Sequence, residues 1–182
     1  MTSSHFDPPL IVRETSQGPV ITMTPLSRAR RFIGIHEVPG PEDHPLIQWW
    51  LSLCRWMPPF DAADEIPWCS AFLNGICWDL ELRRTKSARA RSWLRLPDVV
   101  NSLSEAVPGW DILILKRGGG DQPGPEVIQA SGHVGFYVGH SHPLPSEKLG
   151  PTITVLGGNQ GDEVNIRTYP MARLLGVRRL AA

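Results

Sequence analysis

The sequence lacks an excess of charge of either sign, since Lys plus Arg and Asp plus Glu each number 18. Proteins that bind nucleic acid or an anionic membrane surface usually carry a strong positive field, so we expect neither partner. No apolar run approaches the roughly 20 residues that cross a bilayer, which argues against membrane insertion. The N-terminus also lacks a basic segment followed by an apolar one, so no secretory signal is visible. The sequence therefore predicts synthesis in the cytoplasm.

Cysteine is scarce and odd in number, and no framework spacing links Cys54, Cys69 and Cys77. This usage predicts free thiols in a reducing compartment rather than disulfides. Histidines are also too dispersed to form a compact zinc-ligand pattern, so we expect no metal and no organic cofactor. The histidines closest to such a pattern are His133, His140 and His142.

What the chain does contain is enough apolar residues, 41% of the total, to build one domain. Residues 1–23 are expected to form a loose N-terminal arm or an early edge strand, and residues 24–182 a single catalytic domain. Helical patterns come first, and period-2 patterns follow from about residue 109. This order predicts an α+β fold, with N-terminal helices packed on a mostly antiparallel sheet of about four to six strands. Expected helices begin at Thr24-Pro25, His44 and Cys69 and near Ala88; expected strands cover 109–116, 133–138, 152–156, 164–169 and 176–180.

Cys69 is the best candidate for a nucleophile, because Pro67 turns the chain into an apolar helix that begins at this residue. Unpaired backbone N–H groups and the helix dipole at such a position favour a thiolate, so we expect a lowered pKa for the Cys69 thiol. The same N–H groups can stabilise an oxyanion. A distant histidine, His133 at a strand start, is the candidate base. The alternatives are an ordinary buried cysteine and a structural strand histidine.

Several short motifs in the same order resemble the papain-like cell-wall cysteine hydrolases, the group that contains the CHAP amidases and the NlpC-type peptidases. The similarity runs from about Pro25 to Leu180 and is greatest to a branch associated with phages and bacterial effectors. One departure is Trp110, which separates Gly109 from Asp111 where the group usually has a Gly-Asp pair. The matching motifs are Gly34…Glu37…Pro39-Gly40, His44-Pro45, Glu65-Ile66-Pro67-Trp68-Cys69-Ser70-Ala71-Phe72, Gly109-Trp110-Asp111, His133-Val134-Gly135-Phe136 and Leu156-Gly157-Gly158-Asn159-Gln160.

The resemblance implies a papain-like fold and a Cys-His-Asn catalytic set of Cys69, His133 and Asn159. Asn159 would orient the imidazole, although the adjacent Gln160 stays an alternative because successive strand residues point to opposite faces. Substrate-binding candidates are Trp68, Glu65 and Gln160. Trp68 has core packing as its alternative explanation. For Glu65 the alternative is a helix-start carboxylate favoured by the dipole. For Glu37, bracing a loop is as good an explanation as a role in the site, and the arginines of 83–95 are expected to face water.

The implied substrate is peptidoglycan, cut either at the N-acetylmuramoyl-L-alanine amide or within the stem peptide. An endolysin or an interbacterial effector would act on the wall after release or delivery; an effector would need an immunity protein and a secretion machine as partners. A monomer is expected. Two rival functions use the same scaffold: a deamidase or acyl transferase acting on a protein, and a non-catalytic wall-binding or virion module.

Overall fold

The computed structural model describes residues 11–15, 18–38, 44–55, 67–118, 120–142 and 150–181. The helices are α1 (Pro25–Arg30), α2 (Pro45–Ser52) and α3 (Cys69–Asp79). The strands are β1 (Ile11–Thr15), β2 (Gly18–Thr22), β3 (Val99–Val100), β4 (Asp111–Lys116), β5 (Gly132–Ser141), β6 (Thr152–Gly157), β7 (Asn165–Pro170) and β8 (Leu174–Arg179). Short 3₁₀ turns cover Ala90–Arg95, Leu103–Glu105 and Met171–Arg173. In these residues, no helix has the length and apolar character needed to cross a membrane.

The first two strands form a hairpin of their own, in the part of the chain expected to be an arm or an edge strand. β1 and β2 pair in antiparallel fashion, with Ile11 opposite Thr22 and Thr15 opposite Gly18. Residues 1–10 lie outside the described residues. The hairpin leads directly into α1, which begins where the sequence predicts. Thr24 is its N-cap and accepts a hydrogen bond from the Ser27 backbone at 3.1 Å, and Pro25 occupies the first helical position.

The remaining six strands form one open antiparallel sheet in the order β3-β8-β4-β5-β6-β7. The α+β class predicted from the sequence is therefore confirmed, with few helices. The meander from β4 to β7 places sequential strands side by side, and β8 returns to pair with the free edge of β4. The two-residue strand β3 was not predicted, since it is too short to show a period of two.

The central strands β4, β5 and β6 are buried on both faces, and most of their residues are apolar. The helices cover one face, where α2 and α3 approach closely at Gly75: a Cβ added there would lie 2.2 Å from Cδ1 of the Trp50 ring. Glycine is therefore required for this helix contact. The helix-side sheet residues are Ile112, Ile114, Val134, Phe136 and Leu156, and those of the opposite face are Leu113, Leu115, Tyr137, Ile153 and Val155.

The matched residue Asp111 has a structural role at the start of β4. Its carboxylate is fully buried and accepts two hydrogen bonds from the Arg179 guanidinium, each 2.9 Å long. It also accepts a bond from the Val107 backbone N–H at 2.7 Å. Since Arg179 ends β8, this pair ties the start of β4 to the end of β8.

Candidate active site

Cys69 is the first residue of α3, as expected, and lies over the start of β5. Trp68 is the N-cap residue and makes no side-chain capping hydrogen bond. The backbone N–H groups of Cys69, Ser70 and Val134 interact with the thiol and lower its pKa. Val134 directly follows His133, so the thiol meets β5 one residue beyond the candidate base. Because strand side chains alternate, Val134 packs under α3 and His133 lies on the other face of the sheet.

The thiol and the imidazole nevertheless lie at the same end of the sheet. Burial raises the pKa of the Tyr169 hydroxyl on β7, and a charge on Cys69 raises it further. The Tyr169 ring lies 5.7 Å from the His133 ring, measured between centroids. Tyr169 therefore interacts with both the sulfur and the imidazole.

The state of the thiol differs from the prediction. Cys69 is 1% exposed, and burial raises the pKa of its thiol. The Arg117 charge and the nearby N–H groups oppose this effect but are the smaller contributions. The expected lowering of the Cys69 pKa is therefore wrong, because the helix-terminus effect on a thiol is outweighed by desolvation of the charged form. For this thiol to act as a nucleophile, a base would have to remove its proton.

His133 is held by Gln160, which is the residue of the Asn159-Gln160 pair that reaches the imidazole. Nε2 of His133 lies 3.0 Å from Oε1 of Gln160. The Gln160 amide orientation follows from its other contacts, since its Nε2 donates to the backbone carbonyl of Asn165 at 2.6 Å and to that residue's Oδ1 at 3.0 Å. Tyr169 donates its hydroxyl to the same Oε1 at 2.8 Å. Gln160 Oε1 is thus an acceptor, so His133 Nε2 carries the proton and Nδ1 carries the lone pair.

Burial of the imidazole lowers the pKa of His133 to about 4. The hydrogen bond to Gln160 raises this pKa, while the charges of Arg117 and Arg167 lower it further. His133 is 6% exposed and is therefore neutral at pH 7. A neutral imidazole with its lone pair on Nδ1 can accept a proton, which is the state that a general base for a thiol requires.

Asn159, predicted to orient His133, lies in a tight loop at the end of β6. Its φ is +54°, and Gly161 and Asp162 also have positive φ. This left-handed geometry ends the strand alternation after β6, so Gln160 turns into the protein with 2% exposure. Asn159 as the third catalytic residue stays a prediction, but the observed contact with His133 belongs to Gln160.

The two glycines before Asn159 let the backbone lie close to His133 on one side and to the start of α3 on the other. A Cβ at Gly157 would lie 3.1 Å from His133 Nε2. A Cβ at Gly158 would lie 2.4 Å from Cζ3 of Trp68 and 3.0 Å from Cβ of Phe72. The Gly-Gly pair therefore lets the Gln160 loop lie directly against the helix that carries Cys69.

Trp68 packs in the core, and this placement favours the packing alternative over contact with substrate. The ring is 1% exposed and stacks on Trp50 with ring centroids 6.0 Å apart. Its indole N–H donates to the Glu37 carboxylate, and the Glu37 backbone N–H donates to the Asp162 carbonyl at 2.8 Å. Glu37 thus braces the start of α3 against the loop that carries Gln160. Glu65 lies outside the described residues.

A buried network that was not predicted fastens α3 to the segment before the 3₁₀ turn. The Ser70 hydroxyl donates to the Ser87 carbonyl at 2.7 Å and accepts from the Trp93 indole at 2.8 Å. Asn74 donates to the Ser87 carbonyl at 3.1 Å and accepts from the Lys86 backbone at 2.8 Å. Ser70 and Asn74 are both fully buried. The sequence indicates Ser70 and Asn74 only as polar residues that interrupt an otherwise apolar helix face.

Arg91 was expected to face water, and this expectation is wrong. The residue is fully buried. Its Nε donates to the Ser131 carbonyl at 2.8 Å, and one terminal nitrogen donates to the carbonyls of Pro123, Gly124 and Val127 at 3.1, 2.7 and 3.2 Å. Arg91 thereby orders the loop that leads into β5 and His133. Its acceptors lie more than 30 residues away, so no local pattern could reveal them.

A cleft of about 260 Å³ opens beside the thiol. Cys69 and Pro67 line it from the α3 side, and Ser131 and Gly132 line it from the start of β5. The charged residues in the described lining of the cleft are Arg89 and Arg117. In the described part of the chain, no three His, Cys, Asp or Glu side chains converge as metal ligands would. The arrangement can support nucleophilic attack by sulfur on a carbonyl group, with an imidazole as base.

No protein-family model, curated protein or solved structure matches this chain.

Proposed function

We propose that this protein is a papain-like cysteine hydrolase that cuts amide bonds in peptidoglycan. The wall substrate is supported by the ordered motifs that resemble the cell-wall hydrolases. The chemistry is supported by the site itself. The observation that carries the proposal is Cys69 at the start of α3, in a cleft and against the backbone next to a histidine held in a single tautomer by Gln160.

In the proposed reaction, Nδ1 of His133 accepts the Cys69 proton through one water at the shared end of the sheet, as the sulfur attacks the scissile carbonyl. A C–S bond forms, and the carbonyl oxygen becomes an oxyanion near the first backbone N–H groups of α3. The tetrahedral intermediate collapses when the C–N bond breaks, and His133 returns the proton to the leaving amine. Water then attacks the thioester with His133 again as base, which releases a carboxylate and restores the thiol.

Gln160 has a positioning role in this scheme. Its Oε1 accepts from His133 Nε2–H in the resting state and stabilises the imidazolium that forms when Cys69 is deprotonated. The same arrangement of an acceptor behind the base operates in Cys-His-Asn and Ser-His-Asp sets. In this protein the acceptor is a glutamine whose amide is itself held by Asn165.

The proposal is tested by incubating purified protein with peptidoglycan sacculi and analysing released fragments by mass spectrometry. We expect new amino termini within the stem peptide, or free lactyl groups on muramic acid, and these products identify the bond. Cys69→Ala and His133→Ala should abolish release. Cys77→Ala is the matched control, since Cys77 is a buried cysteine on the same helix. Intact sacculi with the unaltered protein would refute the proposal.

A second candidate is a wall-binding module without catalysis. The observation that favours it is the thiol itself, which is 1% exposed and has a raised pKa. Buried cysteines of this kind are usually inert. Sacculus binding that is equal in the unaltered protein and Cys69→Ala, together with no released fragment from either, would support this candidate.

A further inference from the structure

A second cavity, of about 430 Å³, adjoins the cleft beside Cys69. Both cavities are lined by Arg89 and Gln129, so these two residues form the junction between them. The second cavity has a mixed lining, in which hydroxyl groups from Thr85, Ser87 and Ser92 lie beside the apolar side chains of Leu96 and Ile128. Volumes of this size fall within the range of small-ligand sites. Together the cavities form a groove that extends from the thiol over the 3₁₀ turn.

The described residues that line the groove carry positive charge only, although the chain as a whole is neutral. Arg117 lies in the cleft with the thiol, Arg89 lies at the junction, and Arg95 lies in the second cavity. Among the described lining residues of both cavities there is no aspartate or glutamate. Such a set of guanidinium groups attracts a substrate of negative charge.

Two of these arginines are placed to act on a bound group. One terminal nitrogen of Arg89 donates to the Gln129 carbonyl at 3.1 Å, which holds its guanidinium at the junction. Arg117 lines the same cleft as Cys69. Burial raises the pKa of Cys69 and lowers that of His133, and the Arg117 charge opposes the first effect and adds to the second. Planar guanidinium groups bind carboxylates through paired hydrogen bonds.

We propose that the groove binds a peptide substrate with a carboxylate near the amide that Cys69 attacks, and that Arg89 and Arg117 bind this carboxylate. The inference rests on the proposed function for the identity of the reaction, and it specifies what the substrate must carry. An amide substrate in which this carboxylate is replaced by a carboxamide keeps its shape and loses the ion pairs. The protein should therefore distinguish the two forms.

The test measures binding separately from catalysis, in the Cys69→Ala protein. The probes are an acetylated Ala-γ-D-Glu-Lys-D-Ala stem peptide with free carboxylates, and the same peptide with every carboxylate converted to carboxamide. By isothermal titration calorimetry at low salt, we expect the carboxylate form to bind at least tenfold more tightly. Arg89→Gln and Arg117→Gln should each reduce this ratio severalfold. Arg31→Gln should leave it unchanged, because Arg31 lies at the end of α1 and lines neither cavity.

Equal affinity for the two peptides, binding of neither, or a ratio insensitive to both arginine variants would overturn the inference. Since Arg117 is exposed, its variant should keep the fold, and the test does not depend on Arg89 alone. A preserved preference for the carboxylate form in a protein that leaves sacculi intact would refute the hydrolase and retain the groove. Cleavage of both peptides without preference would retain the hydrolase and refute the carboxylate-binding groove.

Discussion

Acid should destabilise this protein through one residue, because His133 is buried as a neutral imidazole. Its pKa is about 4 in the folded protein, against an ordinary value of 6.5 for the unfolded chain. Between these two values the unfolded chain binds more protons than the folded one, so the free energy of unfolding falls as the pH falls. From these two pKa values, the His133 contribution to this loss is about 2 kcal/mol at pH 5 and about 3 kcal/mol at pH 4.

This loss is large beside the 5–15 kcal/mol that stabilises a typical domain. The measurement is urea unfolding at intervals from pH 7 to pH 4, for the unaltered protein and for His133→Asn. The two proteins will differ in stability at neutral pH, but the informative quantity is the change with pH, in which all other titrating groups cancel. We expect the unaltered protein to lose about 3 kcal/mol more than the variant over this range. His36→Gln is the control, since His36 is exposed.

Parallel curves for the unaltered protein and His133→Asn, within about 0.5 kcal/mol, would refute the reasoning. So would an imidazole that titrates near 6.5 in a ¹⁵N NMR experiment, because His133 would then be solvated. The same spectra report the tautomer, which should carry its proton on Nε2.

Three further changes test the surroundings of the site. Gln160→Leu should lower kcat by about 100-fold, since the base loses its orienting partner. Asn159→Gly should keep kcat within about threefold of the unaltered value. A larger loss of kcat in Asn159→Gly than in Gln160→Leu would support Asn159 as the third catalytic residue. Gly158→Ala should destabilise the protein by about 1–3 kcal/mol, because the new methyl group meets a tryptophan ring at 2.4 Å. Gly150→Ala, with open space around it, should change the melting temperature little, and equal shifts for the two would contradict the packing argument. Arg91→Met should lower the free energy of unfolding by about 2–3 kcal/mol and speed amide hydrogen exchange across residues 123–131. Unchanged exchange in these residues would show that the loop is ordered without the guanidinium.

The parts of the fold that could be predicted from sequence are those determined by local chemistry. Thr24-Pro25 and His44-Pro45 begin helices because a capping side chain precedes a residue that has no N–H to satisfy. The strands of the meander follow from runs of β-branched and apolar residues between turns. Cys69 at the start of α3 and His133 near the start of β5 were located in the same way.

What could not be predicted depends on contacts between distant segments. Gln160 rather than Asn159 meets His133 because the loop turns left-handed, which ends the strand alternation on which the prediction relied. Arg91 is buried because carbonyl groups from residues 123–131 converge on it. The raised pKa of Cys69 results from burial by the whole fold, whereas the sequence revealed only the helix terminus.

The most direct test of the central claim is covalent capture of Cys69 by a substrate analogue. A stem peptide in which a vinyl sulfone replaces the scissile amide would be incubated with the protein at neutral pH. The modified residue would then be identified by peptide mass spectrometry. The proposed mechanism predicts an adduct on Cys69 and none on Cys54 or Cys77, formed at least 100-fold more slowly in His133→Ala. A Cys69 that stays unmodified, or that reacts equally fast without His133, would contradict it.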